Sequence, residues 1–120
     1  RELREALDLT RTPFNTNALA QYAAATVLTH DSHMKRHVAQ INSEKNKVEH
    51  ALKDAKVIFA SSLGNFLFIR CQCSADEMVE RLLKSGTIVK PWRQEGFTNF
   101  IRVSIGNQRE NNQFLSSFLS

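Results

Sequence analysis

The chain has 120 residues, enough for one domain around one modest hydrophobic core. Hydrophobic residues make up 42% and charged residues 23%, an ordinary globular balance. No run approaches the about 18 apolar residues of a membrane-spanning helix. The net charge of +4 is scattered from Arg1 to Arg109 among acids, not gathered into a basic stripe, so neither a nucleic-acid nor a membrane partner is expected.

The opening, RELREALDLTRTPFN, lacks the apolar core of a signal peptide and an initiator Met. It is expected to belong to a longer chain. Pro13 closes this lead-in, and Asn15 and Asn17 offer side chains that cap a helix. ALAQYAAATVLTH then predicts an Ala-rich helix whose small residues allow close approach of another element. Asp31 and Ser32 interrupt and restart the chain. From there to about Ala55 the pattern predicts a long amphipathic helix. Met34, Val38, Ile41, Val48, Leu52 and Ala55 form its apolar stripe, and Lys35, Arg36, Glu44, Lys45, Lys47 and Glu49 its polar side.

The second half alternates between strands and helices. Lys56 to Ala60 reads as a strand, Ser61 to Gly64 as a turn, and Asn65 to Cys71 (NFLFIRC) as the strongest strand signal in the chain. Phe66 and Phe68 share a face of that strand, and this face is expected to serve as core. Ser74 and Glu77 have the spacing of a capping box before a helix with Met78, Val79, Leu82 and Leu83 on one face; Gly86 ends it. Thr87 to Lys90 is a predicted strand stopped by Pro91. Phe100 to Ile105 is another. Asn107 and Glu110 form a second capping box, with Phe114, Leu115, Phe118 and Leu119 facing the core from the last helix. This order gives an α+β domain with a small, mostly antiparallel sheet covered by helices.

The chemistry concentrates in the last strand. Arg102 shares a face with Phe100 and Ser104, while Ile101, Val103 and Ile105 take the other. A partly buried guanidinium needs an anionic partner, and its planar fork suits a carboxylate or phosphate. The alternative is an ordinary surface pair with a nearby Glu. Cys71 and Cys73 are too few for a metal site; they read as reduced thiols of a cytoplasmic protein. No P-loop, dinucleotide fingerprint or nucleophile elbow is present. The chain shows a ligand-positioning residue and no reactive centre of its own.

Four motifs in order carry a resemblance. RTPFNTNALAQYAAATVL is similar to R-x-P-F-N-V-N followed by a small-residue helix. GNFLFI resembles an A-N-F strand, LLKSGTIVKPW a G-I-x-V-R-P strand, and FIRVSIGNQREN the motif L-R-I-S-I-G-T-x-E-E-N. Together they resemble the histidinol-phosphate aminotransferases, fold type I pyridoxal-phosphate enzymes, over nearly the whole chain. The match is to their C-terminal small domain, which would comprise residues 1–120.

That resemblance implies a cytoplasmic homodimer that moves an amino group between histidinol phosphate and 2-oxoglutarate in histidine biosynthesis. It implies pyridoxal 5'-phosphate held by a Schiff-base lysine in a T/S-x-S-K context within an upstream large domain. No lysine here has that setting, since Ser43-Glu44-Lys45 matches only superficially. The chain alone is therefore expected to bind no cofactor covalently, to be inactive, and to expose apolar surface that drives association. The resemblance puts Arg102 at the substrate-anion position and Lys90 where the family commonly has a second arginine. Lys keeps the charge and loses the fork, which leaves open whether Lys90 meets the substrate, Arg93 replaces it, or the substrate differs. Asn15 and Asn17 would lie near the dimer interface and the mouth of the site, Phe14 at an interface, and Asn65 beside the site. Trp92 would line the pocket or cover the sheet. The competing readings are an aromatic aminotransferase, a threonine-phosphate decarboxylase, or a free-standing RNA-binding module stacking bases on Phe66 and Phe68.

Overall fold

The computed structural model describes residues 3, 6, 7, 9 and 16–120. Pro13, Phe14 and Asn15 lie outside the described residues. The chain divides into two compact units, Arg1–Arg36 and His37–Ser120.

In the first unit, helix α1 (Ala18–Thr29) starts where the sequence predicts. Asn17 caps it, its side-chain oxygen accepting the Ala20 N–H at 2.8 Å. The cap is the structural role expected of a residue with this short polar side chain. No residue of α1 is buried, and Leu19, Tyr22 and Leu28 are each about three-quarters exposed. The interruption falls at His30, one residue earlier than expected. Its N–H returns to the Val27 carbonyl at 3.0 Å, and helix α2 (Asp31–Asp54) starts at once.

In the second unit, four strands form one antiparallel sheet in the order β1-β2-β4-β3. They are β1 (Phe59–Ala60), β2 (Phe66–Arg70), β3 (Lys90–Pro91) and β4 (Phe100–Ser104). Helix α3 (Ala75–Lys84) lies between β2 and β3 in sequence, and α4 (Gln108–Leu119) follows β4. Alternation along β2 and β4 buries Leu67, Ile69, Ile101 and Val103 on one face. They form the core with Val48 and Leu52 of α2, Met78 and Leu82 of α3, and Phe114 and Phe118 of α4. Burying one such side chain contributes about 1.5–3 kcal/mol, so this cluster dominates the stability of the unit. The α+β architecture with a helix-covered antiparallel sheet is the one the sequence predicts.

Both capping boxes form. The Ser74 hydroxyl accepts the Glu77 N–H while Glu77 accepts the Ser74 N–H at 3.0 Å, and Asn107 and Glu110 repeat the exchange at the start of α4. Gly86 ends α3 with φ +77°, its N–H bonding the Leu83 carbonyl and the next N–H, of Thr87, bonding Leu82. This paired closure is the usual glycine-dependent helix stop.

Several expectations need correction. The two short strands start later than predicted because their first residues close helices instead. Thr87 completes the stop of α3, so β3 contains only Lys90 and Pro91. Pro91 belongs to the strand rather than stopping it, which an edge strand tolerates. Lys56 and Val57 close α2 through bonds to Lys53 and Leu52, leaving β1 with Phe59 and Ala60. Lys56 adopts φ +56° at a position that favours glycine. Replacing it with Gly is expected to raise the unfolding free energy by about 1 kcal/mol, read by urea denaturation.

The polar side of α2 was assigned too broadly. Glu44 and Lys45 are buried, while Met34 and Val38 are 43% and 48% exposed and Ala55 is also exposed. Helical arithmetic explains it: Lys45 lies four residues after Ile41 and seven before Leu52, and Glu44 four before Val48. The Lys45 ammonium donates to the carbonyls of Ser62 and Gly64, tying α2 to the turn before β2. Glu44 accepts from Lys47 at 2.6 Å and from the amide of Asn111 at 3.1 Å. These bonds hold its carboxyl below the ordinary range against the opposing effect of burial. A depressed folded pKa gives stability that is present above the unfolded value, 4.5, and is lost as pH falls through the lower folded value. Acid unfolding below about pH 4.5 should therefore weaken in Glu44→Gln, as measured by denaturation at several pH values.

Leu119 is 43% exposed instead of facing the core; Leu115 packs against it partly buried. Cys71 and Cys73, two residues apart in an extended stretch, turn to the same core, Cys71 within it and Cys73 at its edge. Burial, reinforced by Cys73 and opposed by Arg81, pushes the Cys71 thiol up to about 11, so it stays protonated at neutral pH.

Candidate functional site: the cationic aromatic face of the sheet

The alternation that buries Leu67, Ile69, Ile101 and Val103 turns Phe66, Phe68, Phe100 and Arg102 to the opposite face, where all four are half-buried. The expectation that the Phe66 and Phe68 face is core is thus reversed: the flanking Leu67 and Ile69 occupy the core. Arg102 pairs across the sheet with Phe68 on one side and Lys90 on the other. Residues directly opposite on neighbouring strands share a face, so Arg102 and Lys90 stand as adjacent cations.

Like charges in that position repel. Among the described residues no carboxylate forms an ion pair with either one; the pairs present are Lys35–Asp31, Lys47–Glu44 and Arg93–Asp76. The alternative of a surface Arg102–Glu pair is not the arrangement found. The Arg102 guanidinium instead lies over the Phe66 ring, 5.3 Å from its centroid, an orienting cation–π contact. Its donors remain available for a planar anion.

Beside the cations is an aromatic cluster. Phe68 and Phe100 stack with centroids 4.7 Å apart and planes at 12°. Trp92 meets Phe68 edge-on at 5.2 Å, and Phe97 meets Phe100 at 5.6 Å. Trp92 thus belongs to this face, and its indole N–H points to Gln94 at 3.4 Å. The cluster gives an apolar wall next to a positive edge. That combination accepts a small ligand with a flat or apolar body and an anionic end.

The remaining candidates separate. Arg93 is bound to Asp76 by both Nε and Nη2, at 3.2 and 2.8 Å, so it is not the spare cation that would replace a missing arginine. Asn17 is a helix cap in the first unit. Asn65 precedes β2, where its backbone carbonyl accepts the Ile105 N–H at 2.8 Å; among the described residues its side chain has no hydrogen-bond partner. Asn15 lies outside the described residues. Phe97 was missed as a member of the aromatic face because it follows Gly96 in a loop with no strand periodicity. Among the described residues no three His, Cys, Asp or Glu side chains come together to hold a metal.

The second unit is thus a small antiparallel sheet with helices on one face and a cationic aromatic patch on the other. The chain matches the family model of aminotransferase class I and II over residues 1–118, and it belongs to that family. It is 46% identical over 116 residues to histidinol-phosphate aminotransferase 1 of Mesorhizobium japonicum, covering 97% of this chain and 32% of that protein. The histidinol-phosphate aminotransferase of Clostridium acetobutylicum shares the fold with TM-score 0.77 at 21% identity, over 98% of this chain and 37% of the other. That of Sinorhizobium meliloti, solved in complex with pyridoxal-5'-phosphate, matches with TM-score 0.76 at 19% identity, over 96% and 32%. The chain thus spans about a third of the length of the relatives it matches.

Proposed function

We propose that this chain is the small, substrate-anion-binding domain of a pyridoxal-phosphate-dependent aminotransferase that exchanges an amino group between histidinol phosphate and 2-oxoglutarate. The observation that carries the reading is the cross-strand pair of Arg102 and Lys90, two adjacent cations with no carboxylate between them, beside an aromatic wall. The likeness to the Mesorhizobium protein supports the choice of substrate.

On this reading no lysine of this chain anchors the cofactor, and four of them have other surroundings. Lys45 is bound to backbone carbonyls, Lys47 to Glu44 and Lys35 to Asp31, and Lys90 stands among the substrate-facing cations. The cofactor's holding lysine and phosphate site belong, on this reading, to a large domain of the longer protein. Bound there, pyridoxal phosphate supplies the electron-sink chemistry. Arg102 fixes the substrate's anionic end and so sets where its amine points. The Phe68, Trp92 and Phe100 wall keeps water from the same edge, which strengthens the ionic contact. Alone, the chain has no reactive group for this transfer. Its further partners are that large domain and a second copy of the protein, for which the exposed apolar side chains of α1 offer surface. The whole enzyme would work in the cytoplasm.

The test is turnover by the full-length enzyme on histidinol phosphate, phenylalanine and threonine phosphate. Preference for histidinol phosphate is expected. Preference for phenylalanine would make it an aromatic aminotransferase, and release of carbon dioxide from threonine phosphate a decarboxylase. In the same assay Lys90→Arg should lower KM for histidinol phosphate several-fold, because arginine adds a second bidentate contact. An unchanged KM would place Lys90 in solvent.

A further inference from the structure

The second unit carries a cavity of about 770 Å³ lined by neither Arg102 nor Lys90; Arg70, opposite Phe100 at the end of the aromatic face, stands at its edge. It lies where the end of α2, the end of β2 and the outer turns of α3 and α4 converge. Lys56, Arg70 and Arg81 line it, and among the described residues no Asp or Glu side chain does. Arg81 is held in place, its Nη2 donating to the Phe118 carbonyl at 3.1 Å. Lys56 and Arg70 form no ion pair among the described residues. The buried side chains of Met78 and Phe118 give the cavity an apolar floor.

A second observation points the same way. Lys56 occupies the left-handed backbone position that closes α2, with φ +56°, where glycine fits without strain. A side chain is therefore carried at a conformational cost at the rim of this cavity. Strained positions of this kind concentrate where a side chain serves a ligand. The volume lies within the range of small-molecule sites, and three cations with no Asp or Glu side chain among the lining residues match a dianion better than a single carboxylate.

We propose that this cavity is a second anion site, distinct from the Arg102 and Lys90 pair, which takes a phosphate monoester with an apolar body. The phosphate meets Lys56, Arg70 and Arg81, and the body rests on Met78 and Phe118. The site stands on its own lining whichever reaction the protein performs.

Calorimetric titration of phenyl phosphate into the full-length protein carrying Arg102→Gln tests it, because that background disables anion binding at the sheet face. One saturable event is expected, weakened at least tenfold by Arg70→Gln and again by Lys56→Gln. Both side chains are exposed, so the fold should survive, and circular dichroism checks that it does. Inorganic phosphate should bind several-fold more weakly than phenyl phosphate. Loss of binding with Arg102→Gln alone, equal affinity after Arg70→Gln and Lys56→Gln, or equal affinity for the two probes would overturn the proposal.

Discussion

Arg102→Ala in the full-length enzyme is expected to lower kcat/KM for histidinol phosphate by roughly 30-fold to several-thousand-fold. The range corresponds to about 2–5 kcal/mol, the usual consequence of truncating one partner of a buried, hydrogen-bonded charge pair. The guanidinium is half-buried, lies over Phe66 and faces Lys90 across the sheet. Removing it deletes the bidentate contact and leaves an aromatic wall with one lysine to hold a dianion. Arg102→Lys should fall between, because the charge persists without the fork. The visible absorbance of bound cofactor should be unchanged in both variants, since the proposed function places its anchor in the large domain. Turnover within a few-fold of the parent enzyme would remove Arg102 from the site.

Asn111→Ala should have the largest effect on stability among the polar changes. Asn111 is 6% exposed in α4 and makes three bonds. Its amide donates to Glu44 at 3.1 Å and to the Gly106 carbonyl at 3.0 Å, and its oxygen accepts the Gly106 N–H at 3.0 Å. The residue thus ties α2, α4 and the turn that follows β4, the strand that carries Arg102. Alanine would leave a buried carboxylate oxygen and two backbone groups short of partners. Each unsatisfied group costs about 1–3 kcal/mol, reduced where water enters, so a loss of about 3 kcal/mol is expected. Denaturant unfolding of the full-length protein measures it. A loss below about 0.5 kcal/mol would show that the network is dispensable.

The order of helices and strands could be read from the sequence because its signals are local. Period-two alternation marks β2 and β4, and the Ser74 and Asn107 boxes mark two helix starts. Arg102 could be read for the same reason: alternation alone separates it from Ile101 and Val103. What was not legible depends on contacts between distant segments. Whether Phe66 or Leu67 faces the core depends on which side the helices cover, and NFLFIRC is apolar on both. The spacing of Glu44 and Lys45 is local, but the bonds that satisfy them when buried come from Asn111, Ser62 and Gly64, residues that no local window contains. Lys90 opposite Arg102 is a matter of register between β3 and β4 across the loop that joins them. The cationic cavity joins residues from Lys56 to Phe118 and has no signature in any one stretch.

The most direct measurement is the crystal structure of the full-length enzyme with histidinol phosphate bound. The account predicts two phosphate oxygens at about 2.7–2.9 Å from the Arg102 guanidinium nitrogens, with the imidazole ring near Phe68 and Trp92. A phosphate held elsewhere, with Arg102 turned to solvent, would contradict it.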